Sequence, residues 1–259
     1  MNSFLQKSST TLSQSKDHTL PIISIITVHK NNLEGLIKTC KSISTQDWPY
    51  FEHILIDGNS EEEGVHSWLE SSNNKATKTI IEQDNGIYDA MNKGLKHATG
   101  LWILFLNSGD IFKERNSLNQ LKDNFKQNYA FIYCDFHIND KLMNQKDIFN
   151  FGLFNNVCHQ TILYHKRILG DFKFDTSFKV SADCHLLIEL SLKYSKKSFI
   201  HIKESLIQIE PFKFSKDNAI LALKDRERSF KHHMKNPFLY FLNWLNLKRQ
   251  QLKLKRNKF

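Results

Sequence analysis

The stretch PIISIITVHKNNLEGLIKTCKSISTQDWPYFEHILIDGNS, residues 21–60, decides the fold. Ile22 to Val28 is a short run, β-branched and apolar at nearly every position, so it reads as a strand covered on both faces. Leu33, Leu36, Ile37, Cys40 and Ile43 then recur at helical spacing, which sets them along one face of a helix over 33–44. His53 to Asp57 is a second β-rich run, closed by Gly58-Asn59-Ser60. Glu61-Glu62-Glu63 suits the first turn of a further helix, where carboxylates meet the positive end of the helix dipole.

Outward from this stretch the cycle repeats, with a strand at 79–82, a helix at 87–97 and a strand at 102–106. Strands and helices alternating at this spacing predict parallel βαβ units. The expected fold is therefore α/β, a Rossmann-like, mixed, mostly parallel sheet with helices on both faces. Ligands of such sheets sit beyond the carboxyl ends of the strands, which makes Thr27, Asp57, Asp84 and Asp110 candidates. Neither a dinucleotide-binding glycine fingerprint nor a Walker loop is present, so a nucleotide has to be held another way. Beyond Asp110 the pattern loosens. A helix is predicted near 117–127, a strand near 131–135 and an irregular stretch around Cys158-His159-Gln160-Thr161, followed by a helix over about 183–194 and a strand at 198–202.

Composition narrows the class. The chain has 259 residues, 40% hydrophobic and 24% charged, with a mean hydropathy of −0.46, which excludes disordered, collagenous and integral-membrane classes. Its formal charge of +9 is not spread over the body. Eleven basic side chains lie from Lys224 onward against Asp225 and Glu227, so residues 1–223 are neutral and the tail carries the whole excess. A nucleic-acid-binding domain would show its basic patch within the folded body, and no nucleic-acid partner is expected. Cys40, Cys134, Cys158 and Cys184 are far apart in sequence and form no C-x-x-C pair, so reduced thiols are predicted rather than a zinc cluster. Residues 1–20 lack periodicity and an apolar core and read as a flexible leader, not a signal peptide, which predicts a cytoplasmic protein.

In the tail, Phe238, Phe241, Leu242 and Leu245 share one face of a predicted helix that runs from Pro237 into Lys248-Arg249. It is too short to span a bilayer. A helix of this type lies in the headgroup region and is drawn to anionic lipid, which predicts a peripheral association with the inner face of the cell membrane. The alternative is a C-terminal helix packed on its own domain. The expected organisation is a leader at 1–20, an α/β domain at 21–215 and a basic amphipathic helical tail at 216–259.

Four phrases occur in order: Ile-Ile-Thr-Val-His-Lys-Asn-Asn at 25–32, Ile-Asp-Gly-Asn-Ser at 56–60, Gln-Asp-Asn-Gly-Ile-Tyr-Asp-Ala-Met-Asn-Lys-Gly at 83–94 and Phe-Leu-Asn-Ser-Gly-Asp at 105–110. Together they resemble the family 2 inverting glycosyltransferases of the GT-A fold, in particular the branch that builds bacterial O-antigen and capsule polysaccharides. The resemblance is strong over 22–112 and looser over 158–190. It implies transfer of a hexose from a nucleotide sugar, UDP-linked, to a lipid-linked saccharide acceptor, with Mg²⁺ or Mn²⁺ as cofactor. It also implies roles for residues. Thr27, Asp57, Asp84 and Asn92 fall on the donor side, and His159 and Gln160 near the acceptor or the leaving phosphate. Asp183 takes the place of the catalytic base and Asp110 that of the metal ligand. Where the family usually carries Asp-x-Asp, this chain reads Asn107-Ser108-Gly109-Asp110, which leaves Asp110 alone there. Each residue also has a purely structural reading: Asp57 and Asp183 as helix N-caps, Asn92 in helix packing, Asn107 and Asp110 as turn formers, His159 as a satisfied core histidine. A sugar nucleotidyltransferase or a nucleotide-sugar hydrolase on a similar sheet is the alternative enzyme, and a basic nucleic-acid-binding protein the non-enzymatic one.

Overall fold

β1 (Ile23–His29) is buried at every position, as its unbroken apolar run requires, and forms the centre of the parallel part of the sheet. On one side it pairs in parallel with β2 (Phe51–Asp57), which pairs with β3 (Lys78–Ile81). On the other side it pairs with β4 (Trp102–Phe105). The computed structural model describes residues 21–126, 129–145, 158–169, 173–211, 216–233, 244, 245, 247–250 and 252. The predicted leader lies outside them.

The sheet continues as a mixed one. β5 (Ile111–Phe112), β6 (Phe131–Ile138), β7 (Lys141–Met143), β8 (Ile162–His165) and β9 (Phe199–Ile209) complete it. Its order is β3-β2-β1-β4-β8-β6-β9-β5, with β7 paired to β6. β8 runs antiparallel between β4 and β6, while β9 lies parallel to β6.

Helices cover both faces. α3 (Ile87–His97) and α6 (Ala182–Lys193) bring Tyr88, Met91, Leu186, Leu187 and Leu190 against Ile26, Val28, Ile54 and Ile56. On the opposite face α1 (Leu33–Ser44) and α4 (Ser117–Leu121) add Ile43, Leu118 and Leu121 to Ile23, Ile25 and Leu104. Each large aliphatic chain sunk this way contributes about 1.5–3 kcal/mol. α2 (Val65–Glu70) begins one turn later than the acidic run suggested, because Gly64 at φ +84° starts it. Glu62 instead accepts a hydrogen bond from the Leu33 amide at 2.9 Å, tying the loop after β2 to the start of α1. Between β8 and α6 stands a short α5 (Lys166–Leu169).

α7 (Lys216–His233) packs beside α6, with Leu223 and Phe230 buried against Cys184 and Ile188. Leu247 joins that cluster. Of the predicted tail helix, Pro237, Phe238, Phe241 and Leu242 lie outside the described residues. Among the described residues the four cysteines are free thiols, and no helix is long and apolar enough to cross a membrane.

Candidate active site

The parallel registers align the strand ends. His29 stands opposite Asp57, and Ile26 opposite Phe105, so the loops after β1, β2 and β4 open on one edge. Asp57 is fully buried, and its two carboxylate oxygens accept from the Ser60 amide (2.9 Å) and the Ser60 hydroxyl (2.6 Å). This side-chain closure over three residues turns the chain back, where Asn31, at φ +51°, receives the Glu61 and Glu62 amides on its side-chain oxygen. Asn32 caps α1 through the Gly35 amide at 3.1 Å. Both loops are thus fixed by their own polar side chains.

His29 joins the parts. Its Nδ1 shares a hydrogen bond of 3.1 Å with the Ser108 hydroxyl, and its Nε2 lies 3.7 Å from Asp57 Oδ1, buried and without a hydrogen-bond partner. Burial lowers its pKa, against the opposing pull of Asp57 and Glu62, so the ring is neutral at physiological pH. Asp84 packs over Gly58 so closely that a Cβ there would stand 2.0 Å from its Oδ2. Its other oxygen accepts the Gly86 amide at 2.9 Å, and Lys93 of α3 pins the same loop by donating to the Gln83 carbonyl.

Thr27 and Asn92 are placed differently. Thr27 is fully buried, its hydroxyl 3.0 Å from His53 Nε2, inside the sheet rather than at the cleft surface. Asn92 exchanges two hydrogen bonds with the backbone of Phe174, donating to its carbonyl at 3.0 Å and accepting its amide at 2.8 Å. It fixes the segment that leads into α6.

The segment after β4 carries the second group. Asp110 is buried and accepts the Glu210 amide at 2.9 Å, and the Gln160 side chain bonds to it as well. Burial pushes its carboxyl up to about 7, and the neighbouring Glu210 carboxylate adds to the rise against the stabilising hydrogen bonds. Glu210 lies over Gly109, whose φ of +102° and missing Cβ make the approach possible, since an added Cβ would meet Glu210 Oε2 at 2.0 Å. Asn32 Nδ2 donates to the same oxygen at 3.2 Å. Asn107 Oδ1 is buried without a partner.

The third group surrounds Asp183, which stands in the first turn of α6 behind the Ser181 N-cap. Tyr88 donates its hydroxyl to Asp183 Oδ1 at 2.7 Å. Burial raises the pKa of Tyr164 and the Asp183 charge adds to the rise, while the same charge opposes the lowering that burial imposes on His159. His159 Nδ1 is buried and unpartnered, and Cys158 Sγ donates to Gln160 Oε1 at 2.9 Å. The turn at 158–160 therefore bridges the two sides, Gln160 bonded to Asp110 and His159 within reach of the Asp183 field.

Sequence reasoning missed His29, Tyr88 and Glu210. His29 and Tyr88 lie inside the quoted phrases, where a polar or aromatic side chain at a strand end or helix start was the available signal. Glu210 carries a weaker one, a carboxylate after Leu206-Ile207-Gln208-Ile209 and just before Pro211.

A family model described as glycosyl transferase family 2 matches residues 24–182. A PGL/p-HBAD biosynthesis glycosyltransferase of Mycobacterium tuberculosis is 31% identical over 179 residues, covering 63% of this chain and 67% of its own. The crystal structure of S. aureus TarS 1–349 in complex with UDP superposes with a TM-score of 0.66 at 15% identity, over 88% of this chain and 71% of that one. The mannosyltransferase PcManGT from Pyrobaculum calidifontis, in complex with GDP-Man and Mn²⁺, gives 0.62 at 16% identity over 95% and 79%. At these identities the two structures share the fold.

Proposed function

Since the chain belongs to glycosyl transferase family 2, we propose that it moves a hexose from a nucleotide sugar, UDP-linked, to a lipid-linked saccharide with inversion at the anomeric carbon, during surface polysaccharide synthesis. The observation that carries this is the pairing of two carboxylate groups, Asp110 with Glu210 and Asp183 with Tyr88, across the turn at 158–160. One side suits a cation that would hold a diphosphate, the other a hydroxyl.

In this reading the nucleotide lies over Asp57, Asp84 and the loop holding His29. The acceptor hydroxyl attacks the anomeric carbon, its new C–O bond forming as the bond to the nucleotide phosphate breaks. Asp183 takes the proton, and the Tyr88 hydroxyl on Oδ1 leaves Oδ2 to receive it. Gln160 and His159 hold the two halves in register.

The residues around Asp110 fit a hard divalent cation. A buried carboxyl whose proton is held up to about 7, a second carboxylate beside it and an orphaned amide oxygen at Asn107 form an all-oxygen donor set that a positive charge would satisfy. Asp110, Glu210 and Asn107 would hold the ion, and Glu210 supplies the carboxylate that Asn107-Ser108-Gly109-Asp110 lacks. When bound, Mg²⁺ or Mn²⁺ supplies neutralisation of the departing diphosphate.

For the membrane side, the support is the tail. On a helix, Leu245 and Leu252 stand away from the buried Leu247, and Leu252 is 55% exposed. They offer an apolar edge beside Lys248 and Arg249.

Thermal unfolding with a panel of nucleotide sugars, with and without Mn²⁺, tests the donor half, because a ligand at 100 times its Kd adds about 2.7 kcal/mol of stability. A shift restricted to UDP-sugars and enlarged by Mn²⁺ is expected. Turnover with free sugar 1-phosphate, or with water alone at an undiminished rate, would overturn transfer in favour of nucleotidyl transfer or hydrolysis.

A further inference from the structure

His185 and Glu189 stand one helical turn apart on α6, and His233 closes α7 beside them. One ligand atom from each lies within 4.8 Å of the others, the one such grouping of His, Cys, Asp and Glu among the described residues. Atoms bound to a single Zn²⁺ at 2.0–2.1 Å stand about 3.4 Å apart in a tetrahedron, so small side-chain rotations close the gap. The second observation is independent. His233 Nε2 is buried with no hydrogen-bond partner, a costly state for a ring nitrogen unless something occupies it.

The surroundings prepare these rings as ligands. His185 Nδ1 pairs with the Ser229 hydroxyl at 3.0 Å, and a proton on that nitrogen leaves the Nε2 lone pair free, the orienting arrangement found behind metal-bound imidazoles. Its ring stacks on Phe178 with centroids 4.1 Å apart. Burial lowers the His185 pKa and takes that of His233 down to about 4, so both rings are neutral at physiological pH. Arg228, whose charge acts on His185, is engaged by the Phe178 face at 3.7 Å and by Asp225 at 3.8 Å.

The location is separate from the donor cleft. Asp183 faces Tyr88, and His185, two residues on, is turned about 200° around the helix, toward α7.

We propose that His185, Glu189 and His233 form a second metal site, outside the catalytic cleft, that takes a zinc-class divalent ion and staples α7 to the helix carrying Asp183. Two imidazoles and one carboxylate form a borderline-soft set that favours Zn²⁺ over Mg²⁺ or Mn²⁺, with water completing the tetrahedron. The ion fixes the end of α7 and so the point from which residues 234–259 continue.

The full chain, stripped with a chelator and dialysed, is titrated with Zn²⁺ against a chromophoric competitor. The expected result is one tightly bound equivalent, retained in Asp110→Ala and weakened at least about 100-fold in His233→Gln. Glu189→Gln, on a half-buried position, gives the same direction should His233→Gln misfold by circular dichroism. Absence of a tight equivalent in the unmodified chain overturns the proposal. So does an equivalent that is lost in Asp110→Ala yet kept in both other variants, which would place the ion in the donor cleft.

Discussion

Asp183 gives the fold little that a neutral isostere would not, about 0.3–1 kcal/mol from its charge in the first turn of α6: Ser181 is the N-cap residue, and the carboxylate receives the Tyr88 hydroxyl. Asp183→Asn is therefore expected to fold, to bind UDP-sugar with nearly unchanged affinity and to lose about 10²–10⁴-fold in kcat, the usual cost of removing a general base. Activity within threefold of the parent, measured with a lipid-linked acceptor, would sink the assignment. Glu210→Gln tests the pair that Glu210 makes with Asp110. Removing its charge lowers the repulsion on Asp110, so UDP affinity without metal should change little while the enhancement by Mn²⁺ falls about tenfold or more, read by calorimetric titration with and without EDTA. Equal losses in both conditions would make Glu210 a structural residue. The candidate site was legible to unequal degrees for the same reason. Asp57, Asp84 and Asp110 end strands or follow them, a local signal, whereas Glu210 reaches Asp110 across 100 residues and no spacing rule connects them.

At the scale of the element, α1 and α3 coincide with the ranges read from their periodicity, because each has one buried stripe against the sheet and a sharp start, at Asn32 and Gly86. β8 was not legible. Four residues in an irregular context carry too little pattern, and their place between β4 and β6 is settled only by pairing with distant strands. α4 ends at Leu121, short of the predicted 127. Packing of α3 on β1 rests on a close approach at Gly94, where an added Cβ would stand 2.4 Å from Ile26 Cγ2. Gly94→Val should therefore destabilise by about 1–3 kcal/mol through overpacking, seen as a lower urea midpoint with unchanged slope. A midpoint equal to that of the parent would show that α3 is free to shift.

For the whole molecule, pH is the informative variable. Burial lowers His53 to about 4, below the 6.5 of the unfolded chain. As pH falls through this window the unfolded chain takes the proton first, so the stability from this neutral ring is complete above 6.5 and is lost toward 4. Asp110, raised to about 7, contributes the opposite slope, so the clean measure is a difference. Between pH 6.5 and 5 the unmodified protein should lose about 2 kcal/mol relative to His53→Gln, measured by urea unfolding at each pH. Parallel curves would mean that His53 titrates in the fold as it does in the unfolded chain. Truncation after Asn236 removes Leu247 from the cluster around Leu223 and Phe230. It should lower stability by about 2 kcal/mol, spare UDP binding and abolish sedimentation with anionic vesicles. Full sedimentation of the truncated chain would move the membrane contact elsewhere.

The place of β8 also bears on synthesis. β4, buried at all four positions in the finished fold, has β1 on one side from the start, but its other edge is paired only by Leu163, Tyr164 and His165, about sixty residues later. At about 5–20 residues per second that interval lasts roughly 3–12 s on the ribosome. Throughout it the nascent chain presents an open, wholly apolar strand edge, the kind of surface that recruits a second chain. An exposed β4 edge during the synthesis of residues 107–165 is thus a place where a chaperone would shield the emerging chain.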